Sequence, residues 1–111
     1  MLRRSFTAVL ERNTRITGPL TTEPYEVAWA TEVRVFVRVM EISSSSVLTL
    51  RPRISPDGLF WCDEGSKGLE MTAPGLASFP LRDFGHWLQF EASLDGPEPF
   101  ARILITLALK E

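Results

Sequence analysis

The chain has 111 residues, 44% of them apolar and 23% charged, which is enough to bury one core and predicts one domain spanning residues 1–111. The net charge of −2 gives no strongly basic balance, so no nucleic-acid partner is expected, and the single Cys62 excludes an intrachain disulfide or a multi-cysteine zinc site. The start, "MLRRSFTAVLERN", lacks the apolar stretch of a secretory signal, and nothing approaches the roughly 18 apolar residues of a membrane span; the expectation is a soluble product made in the cytoplasm, without a membrane partner.

Along the chain the hydrophobic period is close to two. Ser5–Ile16 predicts a first strand, and Tyr25–Ala30 a short one placing Tyr25, Val27 and Trp29 on one side, with Trp29 in the core. The clearest segment is Glu32–Ile42, "EVRVFVRVMEI". Val33, Val35, Val37 and Val39 share one face; Arg34, Phe36, Arg38 and Met40 share the other. β-Branched residues at every second position fit a half-buried strand and suit a helix poorly. Ser43–Ser46 reads as a polar loop, after which Val47–Ser55 resumes as a strand. Leu59–Glu64 and Leu69–Ala73 are short strands. Trp87–Leu94 sets Leu88, Phe90, Ala92 and Leu94 against Trp87, Gln89, Glu91 and Ser93. In Phe100–Lys110, Ile103, Ile105, Leu107 and Leu109 make one face, while Leu104 and Ala108 leave the other partly apolar. Breaks bearing proline or glycine fall at Gly18–Pro24, Pro74–Pro80 and Asp95–Pro99. No helix, repeat or linker is visible. About eight strands predict an all-β fold, a single antiparallel β-sandwich of jelly-roll type, with a small closed barrel as its rival.

Ser55–Gly65, "SPDGLFWCDEG", predicts a hairpin. Pro56 presets the first central φ, Asp57 suits the second position and Gly58 tolerates the left-handed one. A three-residue connection would set Ser55 opposite Leu59, Ile54 opposite Phe60, Arg53 opposite Trp61, Pro52 opposite Cys62 and Arg51 opposite Asp63. Pro52, Ile54, Phe60 and Cys62 would then point inward. Arg53 would meet Trp61 in a cation–π contact and Arg51 would meet Asp63 in an ion pair. Pro52, lacking an N–H, predicts an unpaired stretch on one side of its strand.

No catalytic constellation emerges. His86 with Asp83 is the one conceivable general-base pair, and no recognisable nucleophile setting accompanies it. Asp57, Asp63 and Glu64 are oxygen-rich, but the turn explains Asp57 and an arginine faces Asp63, so neither a metal nor a cofactor is expected. Trp61 and Trp87 sit on the polar parity of their strands. Exposed tryptophans on a sandwich can stack pyranose rings, so glycan binding through Trp61 and Trp87 is the alternative function; packing at the sandwich rim is the plainer reading.

The outward face is more informative. Arg34, Phe36, Arg38 and Met40 on one strand, Arg51 and Arg53 on another and Trp61 beside them combine arginine with large apolar groups, as interface hot spots do. A simple hairpin through the serine loop would bring Arg38 near Arg51, where like charges repel without a partner. These seven residues form the expected contact surface for a homo-oligomer or a larger protein assembly.

The pattern "VRVFVRVMEISSSSVLTLRPRISPDGLFWCDE" followed by "GHWLQFEASL" resembles small all-β structural proteins encoded in phage and prophage head–tail gene clusters, in which an S-x-D-G-x-x-W hairpin recurs. The matching residues are Ser55, Asp57, Gly58 and Trp61, and the resemblance covers about half the chain. It implies a non-enzymatic assembly role, as a capsid-decorating, connector or tail component that is particle-associated once assembled. It implies no list of functional residues, because such proteins work through whole surfaces.

Overall fold

Alternating side chains become two facing sheets in the computed structural model, which describes residues 4–111. The strands are β1 (Ser5–Ile16), β2 (Leu20–Thr21), β3 (Tyr25–Glu26), β4 (Glu32–Ile42), β5 (Val47–Ser55), β6 (Cys62–Asp63), β7 (Leu69–Met71), β8 (Gly75–Arg82), β9 (Trp87–Asp95) and β10 (Ala101–Lys110). The front sheet runs β1-β10-β4-β8. The back sheet runs β2-β9-β5-β6, with β3 also on β9 and β7 also on β5. All of these pairings are antiparallel. Taking β2 with β3 and β6 with β7 as interrupted lanes leaves eight lanes, four per sheet, in the double Greek-key order of a jelly roll.

The valine row points inward as expected. Val33, Val35, Val37 and Val39 are buried beside Ile103, Ile105, Leu107 and Leu109 of β10; from the back sheet Leu48, Leu50, Leu88 and Phe90 meet them. Burying such aliphatic side chains contributes about 1.5–3 kcal/mol each before chain entropy is set against it.

Several local expectations are corrected. Pro74–Pro80 is no break: Gly75–Arg82 is the edge strand β8, paired along β4 from Val39–Gly75 to Glu32–Arg82. An edge strand can carry Pro80, which has no N–H to donate, and Leu81 on its inward parity is buried. Ser43–Ser46 does not close a hairpin but carries the chain from front sheet to back. That corner is fastened: Phe100 N–H donates to Ser43 Oγ (2.9 Å), Ser43 N–H donates to the Phe100 carbonyl (2.9 Å), and the Ser43 and Ser46 hydroxyls are 2.6 Å apart. The strand expected over Tyr25–Ala30 ends at Glu26. Trp29 lies in the turn beyond it, half-buried against the core, with the Arg4 guanidinium 4.8 Å above its ring.

The β5–β6 register is Ile54–Cys62 and Arg53–Asp63, two residues further along than a three-residue connection gives. The amides of residues 57–60 are tied by the Ser55 and Asp57 side chains into a longer loop, so pairing resumes later. Phe60 now falls within the loop and is exposed; a shift of two leaves Cys62 on the parity of Ile54, but on this two-residue edge strand it is exposed as well. The Pro52 expectation holds only in part: β6 pairs at Arg53–Ile54 and β7 at Leu48–Leu50, with no strand residue opposite Arg51 or Pro52, yet the Pro52 carbonyl accepts from Glu64 N–H (3.3 Å) on that side. No helix among the described residues is long and apolar enough to cross a membrane.

Candidate interaction surfaces

β4 displays Arg34, Phe36, Arg38 and Met40 outward from the front sheet, the arginines exposed and Phe36 and Met40 half-buried. Directly opposite residues share a face. Phe36 therefore lies between Ser78 of β8 and Thr106 of β10, Arg38 between Leu76 and Leu104, and Arg34 between Pro80 and Ala108. Arg34 donates from Nε and Nη2 to Ser78 Oγ (3.1 and 3.0 Å), which lays its guanidinium across the sheet. Leu76 is 67% exposed, and Val9, opposite Thr106 on β1, is 41% exposed. The result is an apolar centre of Phe36, Leu76, Leu104 and Val9 crossed by two arginines. Met40 stands at a register shift, between Val39–Ile103 and Glu41–Arg102.

Arg51, Arg53 and Trp61 are elsewhere. β5 belongs to the back sheet, so the seven residues do not form one surface, and the whole core separates Arg38 from Arg51. Arg51 stands opposite Glu91 in the ladder. Arg53 pairs with Glu91 (3.2 Å) and donates to the Trp61 carbonyl (3.4 Å), a backbone contact where a cation–π contact with the ring was expected. Asp63 faces Arg53 rather than Arg51, a direct result of the register.

The S-x-D-G segment is a hydrogen-bonded unit. The buried Ser55 Oγ accepts from Asp57 N–H (3.2 Å) and Gly58 N–H (2.8 Å), and donates to Asp57 Oδ1 (3.0 Å). Asp57 Oδ1 also accepts from Leu59 N–H (2.9 Å) and Phe60 N–H (3.1 Å). The Leu59 amide first, then the Phe60 amide, hold its carboxyl below the ordinary aspartate value, with the Ser55 hydroxyl adding a smaller effect. Gly58 has φ +79°, and a Cβ placed there would come within 3.2 Å of the Trp87 ring. The tryptophan packed on the glycine is thus Trp87 of β9, not the Trp61 of the motif. Leu59 and Phe60 project from this unit, 76% and 77% exposed. Their exposure was not legible, because a three-residue turn would have taken Phe60 inward.

Trp61 and Trp87 are both half-buried. His86 is exposed and works through its backbone, its N–H donating to the Ser55 carbonyl (3.1 Å) and its carbonyl accepting from Val27 N–H (2.7 Å). Asp57, Asp63 and Glu64 each turn a carboxylate oxygen to a nearby backbone N–H. Among the described residues no group of three His, Cys, Asp or Glu side chains is placed to hold a metal ion.

No family model and no curated protein sequence matches the chain. Solved structures do. The PBSX exported protein XepA superimposes with a TM-score of 0.70 at 10% identity, over 94% of this chain and 36% of that one. This chain shares its fold with prophage and viral proteins. The SPBc2 prophage-derived protein YomS matches over 100% of this chain and 96% of its own, with a TM-score of 0.55 and 15% identity. The infectious bursal disease virus VP2 subviral particle matches with a TM-score of 0.64 at 13% identity, over 97% of this chain and 32% of that one. The chain therefore spans about a third of XepA and of VP2 and nearly all of YomS. At these identities the likeness is one of fold, and at that level it agrees with the phage-type resemblance of the hairpin sequence.

Proposed function

We propose that the chain is a non-enzymatic, single-domain structural subunit of a phage-like particle, which self-associates or docks on a larger protein assembly as a decoration, connector or tail component. The observation that carries this reading is the outer surface of the front sheet, where Phe36, Leu76, Leu104 and Val9 cluster beside Arg34 and Arg38. A flat apolar centre with cationic groups suits contact between proteins: burying the apolar part supplies about 25 cal/mol per Å², and the arginines select an acidic partner and fix its orientation. A fold in common with prophage-derived proteins and with the protein of a subviral particle supports the same reading. Arg34, Phe36, Arg38 and Met40 are the contact residues of one surface; Arg51, Arg53 and Trp61 are those of the other.

Light scattering across a concentration series, with co-sedimentation against particles made from the surrounding gene cluster, tests this. The expected outcome is either a species heavier than the 12.5 kDa chain or stable recovery with the particles. A strict monomer that never sediments with particles would overturn the proposal.

A further inference from the structure

Charge is unevenly divided between the two sheets. The front-sheet strands carry seven Lys or Arg and three acidic residues, a net +4; the back-sheet strands carry two arginines and five acidic residues, a net −3. The space between the sheets is filled by apolar side chains, so apart from Glu11 and Arg12, which cancel at the irregular edge strand β1, these charges lie on outer surfaces that face opposite ways. The overall −2 conceals a basic front and an acidic back.

We propose that copies of the chain stack front to back, the basic outer face of β1-β10-β4-β8 seating on the acidic outer face of the β9–β5 sheet of the next copy. This rests on the reading that the chain assembles, and it specifies the partner and the geometry. Electrostatics makes the choice. A two-fold dimer through the fronts would bring two faces of net +4 together, and one through the backs two faces of net −3. Front to back, Arg34, Arg38 and Lys110 meet a face on which Glu91 already offsets Arg53 and on which Glu70 and Asp95, both exposed, carry the remaining negative charge. Phe36 and Leu76 lie within the basic face and give the contact its buried centre. Such an interface is heterologous: it closes into a ring or continues as a filament, depending on the rotation between neighbours.

Size sets the strength. The central strands run 9–11 residues, which at ~3.3 Å per residue gives faces about 30 Å long. Four lanes at ~4.8 Å give a width of about 19 Å. Full overlap would bury roughly 600 Å² per copy, or about 1,200 Å² in all, the lower end of the range for stable interfaces. With this area and exposed charges, stacking is concentration-dependent and weakened by salt.

Three variants of the full chain test it, with mass read by light scattering or sedimentation at about 50 mM and 500 mM salt. Arg34→Glu, Arg38→Glu and Lys110→Glu together take the front from +4 to −2; Glu70→Lys, Ser93→Lys and Asp95→Lys take the back from −3 to +2. Wild type should associate at low salt and dissociate at high salt. Each triple variant, now with like-charged faces, should be monomeric. The sixfold variant, with both faces reversed, should associate again. Retained association of the back-face variant alongside loss for the front-face variant would mean pairing through the fronts and overturn the stacking. A folded sixfold variant that stays monomeric would overturn it too. A wild type monomeric throughout would also refute stacking, while particle co-sedimentation would separately decide the assembly reading. Should a triple variant fail to show the wild-type far-UV spectrum, Arg34→Gln with Arg38→Gln, and Glu70→Gln with Asp95→Asn, take its place. Each pair should weaken association about fivefold at low salt, and no change in either would refute the proposal.

Discussion

Gly58→Ala isolates what the backbone geometry of the Ser55–Gly58 unit contributes to the fold. Two effects act at that position. The backbone sits at φ +79°, where an L-residue with a Cβ is less stable than glycine by about 1–2 kcal/mol. The new Cβ would also lie 3.2 and 3.3 Å from Cε2 and Cδ2 of Trp87, so the indole must shift by a few tenths of an ångström, adding several tenths of a kcal/mol. A loss of about 2 kcal/mol follows. Unfolding entropies near 2.1 cal/mol/K per residue give ~0.23 kcal/mol/K for a chain of this length, so Tm should fall by about 9 °C. Gly18→Ala is the matched control, since a Cβ there meets nothing within 4 Å; it should be neutral or stabilise by up to about 1 kcal/mol through the unfolded chain. Urea unfolding followed by tryptophan emission reads both, and in the Gly58 variant the native spectrum should also shift as Trp87 moves. Equal stability changes in the two variants, or a Gly58→Ala loss under about 0.5 kcal/mol, would refute the reasoning.

Thr22 is buried and exchanges two 3.0 Å bonds with the backbone of Phe90, donating its N–H to the carbonyl and accepting the Phe90 N–H at Oγ1. Thr22→Val should cost about 1–3 kcal/mol by stranding a buried N–H and should speed exchange of the Phe90 amide, whereas Thr22→Ser should keep that protection; equal exchange in both variants counts against this. Gly68→Ala should be worse than Gly58→Ala, at roughly 2–4 kcal/mol, because its Cβ would lie 2.5 Å from the Leu50 carbonyl oxygen at φ +79°; equal urea midpoints for the two variants would contradict that. Because the folded-state pKa of Asp57 is lowered, its contribution is present above the unfolded carboxylate pKa and is lost as pH falls through the folded value. The stability gap between wild type and Asp57→Ala should therefore close on acidification, and a gap unchanged from pH 7 to about pH 2 would exclude the mechanism.

Period two is a local property, so the long strands were legible. Val33 to Val39 and Ile103 to Leu109 can satisfy a core only on one side of a strand, which fixes their orientation without any knowledge of neighbours. β8 was hidden because Pro74, Gly75 and Pro80 read as punctuation, although Ala77, Phe79 and Leu81 alternate between them; an edge strand carries prolines that a central one would reject. The β5–β6 register failed for a related reason. A turn type can be read from Pro56-Asp57-Gly58, but the hydrogen bonds of Asp57 Oδ1 to both the Leu59 and Phe60 amides lengthen the loop by holding residues that would otherwise have begun the next strand.

The surface failed at one step: which sheet a strand joins. Parity assigns Arg34, Arg38, Arg51 and Arg53 the same outward sense, but outward has two directions in a sandwich, and the Ser43–Ser46 corner sends β4 and β5 to opposite ones. Once that corner is known, the residues regroup by sheet instead of by sequence proximity. β1, β8 and β10 add Arg12, Arg15, Arg82, Arg102 and Lys110 to the arginines of β4, while on the back sheet Arg51 and Arg53 stand beside Glu91 and among Glu26, Asp63, Glu70 and Asp95. An arginine cluster that would have repelled itself on one surface becomes a basic face and an acidic face in which the remaining two arginines are already offset. The repulsion that first argued for a partner between Arg38 and Arg51 is gone, and an opposite charge carried by the other side of the same molecule has taken its place.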